Sequence, residues 1–466
     1  MPEDTICAVS TPPGVGGIAV IRVSGDKAIT IVDKLFHPKG HATPLSQRAT
    51  HTLAFGEIYG QEGDLLDQVV VSLFRTPHSY TGEDTVEISC HGSTYIAQHI
   101  IQALIHGGCR GAAPGEFTRR AFANGRLDLS QAEAVADLIA SRSAAAHRVA
   151  MNQMRGGFSR ELADLRARLL QFVSLIELEL DFSEEEVQFA DRQQLVELAR
   201  DIETVIARLA DSFSRGNAIK NGIPTIIIGE TNAGKSTLLN ALLREERALV
   251  SDIHGTTRDT VEDIIDLQGI TYRLIDTAGI RETSDTVENM GIERTFVKLA
   301  QADIVLWLVD GTHSDAHVQD LARRIVPQCQ GKQLFALINK TDLLSPAQIA
   351  AKQELLTTLH IAPERILPIS AKNNRDIDTL QEALVALAAQ TTSANDTIVT
   401  NVRHYEALVR ALEAIRRAHQ GLADNYPGDL LAQDIRETMH HLGEITGEIT
   451  TDEILGNIFK NFCIGK

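Results

Sequence analysis

Gly229-Glu230-Thr231-Asn232-Ala233-Gly234-Lys235-Ser236 fits the pattern G-x-x-x-x-G-K-[ST]. A β-branched run, Thr225 to Ile228, precedes it, and Leu238, Leu239 and Leu242 follow at helical spacing. A glycine-lined turn in that setting lets successive backbone N–H groups wrap phosphate oxygens, and the N-terminus of the following helix adds partial positive charge. Lys235 is expected to reach β- and γ-phosphates and Ser236 to hold Mg²⁺. The octapeptide alone also turns up in unrelated loops; its strand–turn–helix placement makes it specific.

Three further elements follow in order. Asp276-Thr277-Ala278-Gly279 closes the strand-like run Tyr272 to Ile275; Asp276 is placed to hold Mg²⁺ through water and the Gly279 amide to meet a γ-phosphate. Asn339-Lys340-Thr341-Asp342 ends another apolar run, and a carboxylate at Asp342 can accept two hydrogen bonds from guanine N1–H and its exocyclic amine, a pattern adenine does not offer. Ser370-Ala371-Lys372 follows Ile366 to Ile369 and is expected to cap the base with backbone N–H. Each alone could be a surface turn. All four at this spacing describe a site for GTP.

Hydrolysis needs a group that orients water, and many small GTPases place glutamine directly after the D-x-x-G element. Here that residue is Ile280, so a replacement polar group is needed; the run from Arg281 to Glu288 supplies candidates, although most of these charges read as a solvated loop. Arg258 and Arg281 fall in the segments that respond to the γ-phosphate, but neither is an evident arginine finger. Asn232, with backbone carbonyls between Ser251 and Thr256, could instead hold K⁺ and place positive charge where transition-state charge develops.

These residues sit within a 466-residue chain, long enough for about three domains. Composition is 43% hydrophobic and 23% charged, ordinary for a globular protein, and no run approaches the roughly 18 apolar residues of a membrane span. The acidic start lacks a signal peptide's basic segment and apolar core, which points to a cytoplasmic protein without a membrane partner. Five scattered cysteines suit neither a disulfide framework nor a zinc site; four read as buried small hydrophobes. A net charge of −18 argues against simple coating of nucleic acid, so any RNA would need a local basic patch or a basic partner.

Residues 1–120 read as mixed α+β, with Ile18 to Val23 and Gln68 to Phe74 as strands. Helical spacing takes over across 121–218, at Leu162, Leu165, Leu169, Phe172, Val173, Ile176 and Leu180, and again at Leu195, Leu198, Ile202, Val205 and Leu209. Across 219–384 helices alternate with continuous apolar runs such as Ile304 to Val309 and Leu334 to Ile338, the signature of strands buried on both faces of a parallel sheet. A polar stretch, Gln390 to Asp396, reads as a linker, and helical spacing returns at Val402, Tyr405, Leu408, Leu412 and Ile415 within 385–466. The fold class expected is multidomain α/β plus all-α: a P-loop GTPase domain inserted between two parts of a helical domain, preceded by an α+β domain.

Further motifs carry a resemblance. They are Thr11-Pro12-Pro13-Gly14-x-Gly16-Gly17 with Arg22, Tyr80-Thr81-Gly82-Glu83-Asp84, and Pro114-Gly115-Glu116-Phe117-Thr118-x-Arg120-Ala121-Phe122. To these add Leu127-Asp128-Leu129-x-Gln131-Ala132-Glu133-Ala134, Gly255-Thr256-Thr257-Arg258-Asp259 and the terminal Phe462-Cys463-Ile464-Gly465-Lys466. Over essentially its whole length the chain resembles the tRNA modification GTPase family (MnmE/TrmE). The resemblance implies a folate-binding N-terminal domain that also mediates homodimerisation. It implies K⁺-stimulated GTP hydrolysis and work with a flavoprotein partner, MnmG/GidA, in a heterotetramer. Together they would install a (carboxymethyl)aminomethyl group on C5 of the wobble uridine of certain tRNAs, with a one-carbon unit from 5-formyl- or 5,10-methylene-tetrahydrofolate.

By the same resemblance K⁺ would bind Asn232 with carbonyls of Ser251, Ile253 and Thr256, and Mg²⁺ would bind Ser236 and Thr257. Glu288 would orient the attacking water, with Lys235 and Arg281 completing the catalytic set. The nucleotide would contact Asn232 to Thr237, Ser251 to Ile253, Thr256, Thr257, Asp276 to Gly279, Asn339, Lys340, Asp342, Ser370 and Ala371. Folate would contact Arg22, Glu87, Arg126 and Lys466. Cys463 either serves the modification step or packs in its apolar Phe-Cys-Ile setting. A different class of function, a GTPase switch in ribosome assembly without RNA chemistry, would share the four nucleotide elements. It should also carry a basic RNA-binding module, and the acidic balance and FCIGK tail argue against it.

Overall fold

Period-two alternation of apolar side chains builds the first sheet. Its strands are β1 (Ile6–Val9), β2 (Gly16–Ser24), β3 (Phe36–Pro38), β4 (Thr52–Tyr59), β5 (Leu65–Phe74), β6 (Thr85–Gly92) and β7 (Arg110–Gly111), in the order β3-β4-β5-β6-β2-β1-β7. Only the β1–β7 pairing is parallel. Ile21, Val23, Val69, Val71, Leu73, Val86 and Ile88 bury one face of this sheet, where Ile31 and Val32 of the helix Ala28–Leu35 and Ile100 and Leu104 of the helix Thr94–His106 complete the core. The runs expected as strands at 18–23 and 68–74 fall within β2 and β5. The structure, a computed structural model, describes residues 4–40, 43–181, 192–244, 263–275, 298–389, 397–460, 462 and 465.

The chain divides into two compact units. One comprises Met1–Ile139, Ala150–Ile206 and Ala407–Lys466, the other Ala140–Val149 and Ala207–Glu406. The first unit holds the sheet just described and a set of long helices. In the helix Gly157–Asp181 the stripe Leu162, Leu165, Leu169, Phe172 and Ile176 is buried, and this helix packs on Gly428–Thr446. Glu177 pairs with Arg436 there, and Glu203 pairs with Arg416 at 3.0 Å and His419 at 2.8 Å.

In the second unit the continuous apolar runs form a mostly parallel sheet. Its strands are β8 (Ile223–Gly229), β9 (Asp263–Leu267), β10 (Ile270–Ile275), β11 (Ile304–Asp310), β12 (Gln333–Asn339) and β13 (Ile366–Pro368), in the order β13-β12-β11-β8-β10-β9. All seven residues of β11 are buried, as a strand covered on both faces requires. The single antiparallel pairing, β9 with β10, turns at Gln268-Gly269, where both residues have positive φ (53° and 84°), the backbone a tight hairpin demands. The expected linker at 390–396 lies outside the described residues.

Candidate functional site

Parallel pairing aligns the carboxyl ends of the central strands. Gly229 at the end of β8 is registered with Leu308 of β11, and Asp310 at the end of β11 with Asn339 at the end of β12. Open α/β sheets bind ligands outside such an edge. The phosphate-loop sequence leaves β8 here and enters the helix Lys235–Arg244, as its strand–turn–helix placement predicts.

Close packing shapes this loop. Gly234 has φ +104°, and a Cβ there would lie 2.4 Å from Nδ2 of Asn339; a Cβ at Gly229 would lie 2.7 Å from the Leu308 carbonyl oxygen. Asn232 also adopts positive φ, 62°. Lys235 donates from Nζ to the carbonyls of Gly229 (2.7 Å) and Glu230 (2.8 Å). Burial lowers its pKa, opposed by the nearby Glu230 carboxylate. A half-buried ammonium over a glycine-lined turn, with the Ser236 hydroxyl in the first helical turn, is a donor set suited to a magnesium-bound polyphosphate.

The corner expected to read the base is tied to this loop by the Asn339 side chain. Asn339, 3% exposed, donates from Nδ2 to the Ala233 carbonyl at 2.7 Å and accepts at Oδ1 from the Ala371 amide at 3.0 Å. It thereby joins the phosphate loop to the S-A-K turn. The buried Ser370 hydroxyl donates to Oδ1 of Asp342 at 2.7 Å, and Thr341 donates to the Ile369 carbonyl at 2.9 Å. Asp342 itself is exposed, free to face a base.

Lys340, at φ 64°, reaches back 2.5 Å to Asp310 Oδ2, while the Thr312 hydroxyl and amide donate to Oδ1. Burial raises the Asp310 pKa, but the Lys340 and Thr312 hydrogen bonds outweigh it and hold the carboxyl below its ordinary range. Sequence reading missed Asp310. Its signal was available: an acid closing an otherwise wholly apolar strand.

Of the expected nucleotide and metal residues, the structure brings together Asn232, Ala233, Gly234, Lys235, Ser236, Thr237, Asn339, Lys340, Asp342, Ser370 and Ala371 around this edge. Ser251, Asp252, Ile253, Thr256, Thr257, Asp276, Thr277, Ala278, Gly279, Arg281 and Glu288 lie outside the described residues, as do Cys463 and Lys466.

The first unit carries the other candidate residues. Arg22 of β2 and Glu87 of β6 are cross-strand partners, with Nε and Nη2 of the guanidinium 2.9 and 2.8 Å from Oε1. The guanidinium also lies 5.1 Å from the Tyr80 ring and 5.6 Å from that of Phe117. Arg126 packs its stem on Gly82, where a Cβ would come within 3.2 Å of its Cγ. Gly465 of the C-terminal motif comes to the same unit's sheet. Ser10 donates to the Gly465 carbonyl at 3.0 Å, and a Cβ at Gly465 would lie 2.3 Å from the Val9 carbonyl oxygen.

The P-G-E-F-T-x-R motif has a structural use. Glu116, 2% exposed, takes hydrogen bonds from Arg110 (2.6 Å), Arg120 (3.1 Å) and the Ala113 amide (2.8 Å). Arg120 also reaches Asp4 and Glu83. Burial pushes the Glu116 pKa up, but the hydrogen bonds more than reverse it, leaving the carboxyl below its usual range. Four of the five cysteines, Cys7, Cys90, Cys109 and Cys329, are free and buried, as expected of small core residues.

Two family models match this chain: the MnmE helical domain over residues 129–463 and the GTP-binding protein TrmE N-terminus over residues 5–126. The chain belongs to the MnmE family of tRNA modification GTPases. The tRNA modification GTPase MnmE of Bacteroides thetaiotaomicron is 58% identical over 470 residues, and that of Bacteroides fragilis 59% over 470 residues, each alignment covering all of both chains. Among solved structures, a GTP-binding protein from Sulfolobus solfataricus in complex with GDP aligns distantly, at TM-score 0.29 and 18% identity over 49% of this chain and 68% of its own. MnmE membership explains why the phosphate loop, N-K-T-D and S-A-K elements occur together with the N-terminal and FCIGK motifs. No helix among the described residues is long and apolar enough to cross a membrane.

Proposed function

We propose that this chain is a GTP hydrolase acting in tRNA modification, K⁺-stimulated and working with a flavoprotein partner. The product would be a (carboxymethyl)aminomethyl group on C5 of the wobble uridine, built with a tetrahydrofolate one-carbon unit. The observation that carries the GTPase half is Asn339, whose amide links the phosphate loop to the base-capping turn while Ser370 aims Asp342. Family membership and likeness to the MnmE proteins of Bacteroides support the tRNA half.

In this reading the G domain, 219–384, is inserted between helical segments 121–218 and 385–466. Lys235 holds β- and γ-phosphates, Ser236 and Thr257 hold Mg²⁺, and Asn232 with carbonyls of Ser251, Ile253 and Thr256 holds K⁺. Bound Mg²⁺ and K⁺ supply positive charge against charge developing on the phosphates. Glu288 orients water, Arg281 and Lys235 complete the catalytic set, and Asp342 selects guanine. Folate would take Arg22, Glu87, Arg126 and Lys466 of the N-terminal domain, 1–120. The Arg22 guanidinium over two aromatic rings, and the tail residue Gly465 against Val9, favour that placement. Exposed Leu53 and Phe55 on β4 and Val70 on β5 offer that domain an apolar surface for homodimerisation.

Mass spectrometry of tRNA nucleosides from cells lacking the protein tests the proposal. C5-aminomethyl-type uridines should disappear and return when the gene is restored. An unchanged nucleoside profile would remove the modification half, while failure of the purified chain to bind GTP or GDP with magnesium would remove the GTPase half.

A further inference from the structure

Glu230, His313 and His317 form a cluster beside the phosphate loop that nucleotide binding does not explain. Glu230 is the loop's second residue. His313 and His317 come from the segment after β11, where Ser314 caps the helix Asp315–Ile325 by accepting from the His317 amide. Nδ1 of His313 lies 3.1 Å from Glu230 Oε2, and Nε2 of His317 lies 2.9 Å from both carboxylate oxygens. The three ligand atoms lie within 4.8 Å of one another. Tetrahedral bonds of about 2.0–2.1 Å place ligand atoms roughly 3.3 Å apart, so side-chain movement of about 1 Å would close the cluster on an ion. The side chains are 33–44% exposed, which leaves that movement available.

The bland reading is a carboxylate hydrogen-bonded by two neutral imidazoles. It has a cost at His313. In a neutral ring with Nδ1 protonated toward Glu230, the bare Nε2 faces the Asp310 carboxylate 3.9 Å away, acceptor against acceptor, a clash that a second ring proton or a metal ion on Nδ1 removes. A metal ion on Nδ1 forces the proton to Nε2, where it faces that carboxylate, the arrangement in which an outer carboxylate orients a ligating histidine. Two imidazoles and a carboxylate select a borderline divalent ion such as Zn²⁺, Co²⁺ or Ni²⁺ over Mg²⁺ or K⁺, and leave one coordination position open.

We propose that Glu230, His313 and His317 bind one transition-metal ion of the zinc class on the rim of the phosphate loop. Since Glu230 belongs to the loop that grips phosphate, metal and nucleotide occupancy are linked, a consequence that rests on the GTPase reading whereas the metal site does not.

The test titrates metal-free full-length chain, without nucleotide, with Zn²⁺ against a chromophoric chelator and follows Co²⁺ by its visible absorption. Wild type should bind one equivalent that is lost in the His313→Ala/His317→Ala double variant. Glu230→Gln should weaken it by about tenfold or more, because even outer-shell changes cost that much. The second histidine-rich group, His440, His441 and Glu444, supplies the control: His440→Ala/His441→Ala should keep the equivalent. Zinc-free wild type, an unaltered equivalent in the His313→Ala/His317→Ala chain, or its loss in the control would overturn the site. Circular dichroism confirms that each variant is folded. Adding Mg·GDP should change zinc affinity by about fivefold or more; equal affinities would overturn the linkage, and failure of GDP to bind at all would instead fault the nucleotide reading.

Discussion

Asp342→Asn should convert a guanine site into a xanthine site, and the structure says how the new amide will sit. Ser370, wholly buried, donates its hydroxyl to one Asp342 oxygen at 2.7 Å. If the hydroxyl keeps donating in the variant, the amide oxygen must accept that bond, which turns the NH₂ group outward to the base. An outward donor opposes the guanine amine but complements the xanthine O2, while the amide oxygen can still accept N1–H from either base. A charge-assisted hydrogen bond contributes about 1.5–3 kcal/mol, so losing one and setting donor against donor should cost GDP about 3 kcal/mol, roughly a hundredfold in affinity. XDP should gain a comparable factor. The assay is competition of GDP and XDP against a fluorescent nucleotide, with wild type, Asp342→Asn and Asp342→Asn/Ser370→Ala. The double variant should lose part of the switch, because its amide can flip. Undiminished preference for GDP in Asp342→Asn would refute the base-recognition argument; an equal switch with and without Ser370 would refute the orienting role of the serine.

Gly234→Ala should destabilise the second unit by roughly 1–3 kcal/mol and abolish tight GDP binding, since its Cβ would stand 2.4 Å from Asn339 Nδ2 at a φ of +104°; thermal melting and nucleotide titration measure both. Glu116→Gln should cost about 3 kcal/mol by leaving Arg110 and Arg120 without their shared carboxylate. Because the folded-state pKa of Glu116 is depressed below 4.5, its stabilisation is complete at neutral pH and lost as the pH falls through that range. Urea midpoints taken from about pH 6 to about pH 3 should therefore decline more steeply in wild type than in the variant. Replacing K⁺ by Na⁺ should slow GTP turnover by roughly tenfold or more, and Asn232→Ala should erase the difference; a variant that still distinguishes the ions would place the cation site elsewhere.

The strands and long helices were legible because burial is periodic along the chain. Seven consecutive buried residues in β11 leave no choice but a central strand, and the stripe from Leu162 to Ile176 leaves none but a one-sided helix. The turns carrying the phosphate-loop, N-K-T-D and S-A-K motifs were legible because each is a short backbone device with fixed residue types. Pairings made by topology were not. Lys340 finds Asp310 30 residues away, Glu230 meets His317 across 87, and Ser10 holds the Gly465 carbonyl across 455. No local pattern encodes such distances; strand order and crossover connections do. The Arg110–Glu116–Arg120 group, built on the buried Glu116, escaped for the same reason, its motif having drawn attention as a family signature rather than as a charge network.

Strand order explains why a few polar side chains can hold the site in shape. With β8, β11 and β12 adjacent, the last residues of three strands open onto one edge, so Asn339 can span from the phosphate loop to the Ala371 amide without an intervening element. Both of its bonds are buried, and removing it would strand a carbonyl and an amide at a cost of about 1–3 kcal/mol each. The Asp310–Lys340 pair then fixes the next residue of the same turn from the other side. The phosphate loop and the S-A-K turn are therefore one mechanical unit built on the sheet edge, joined through Asn339.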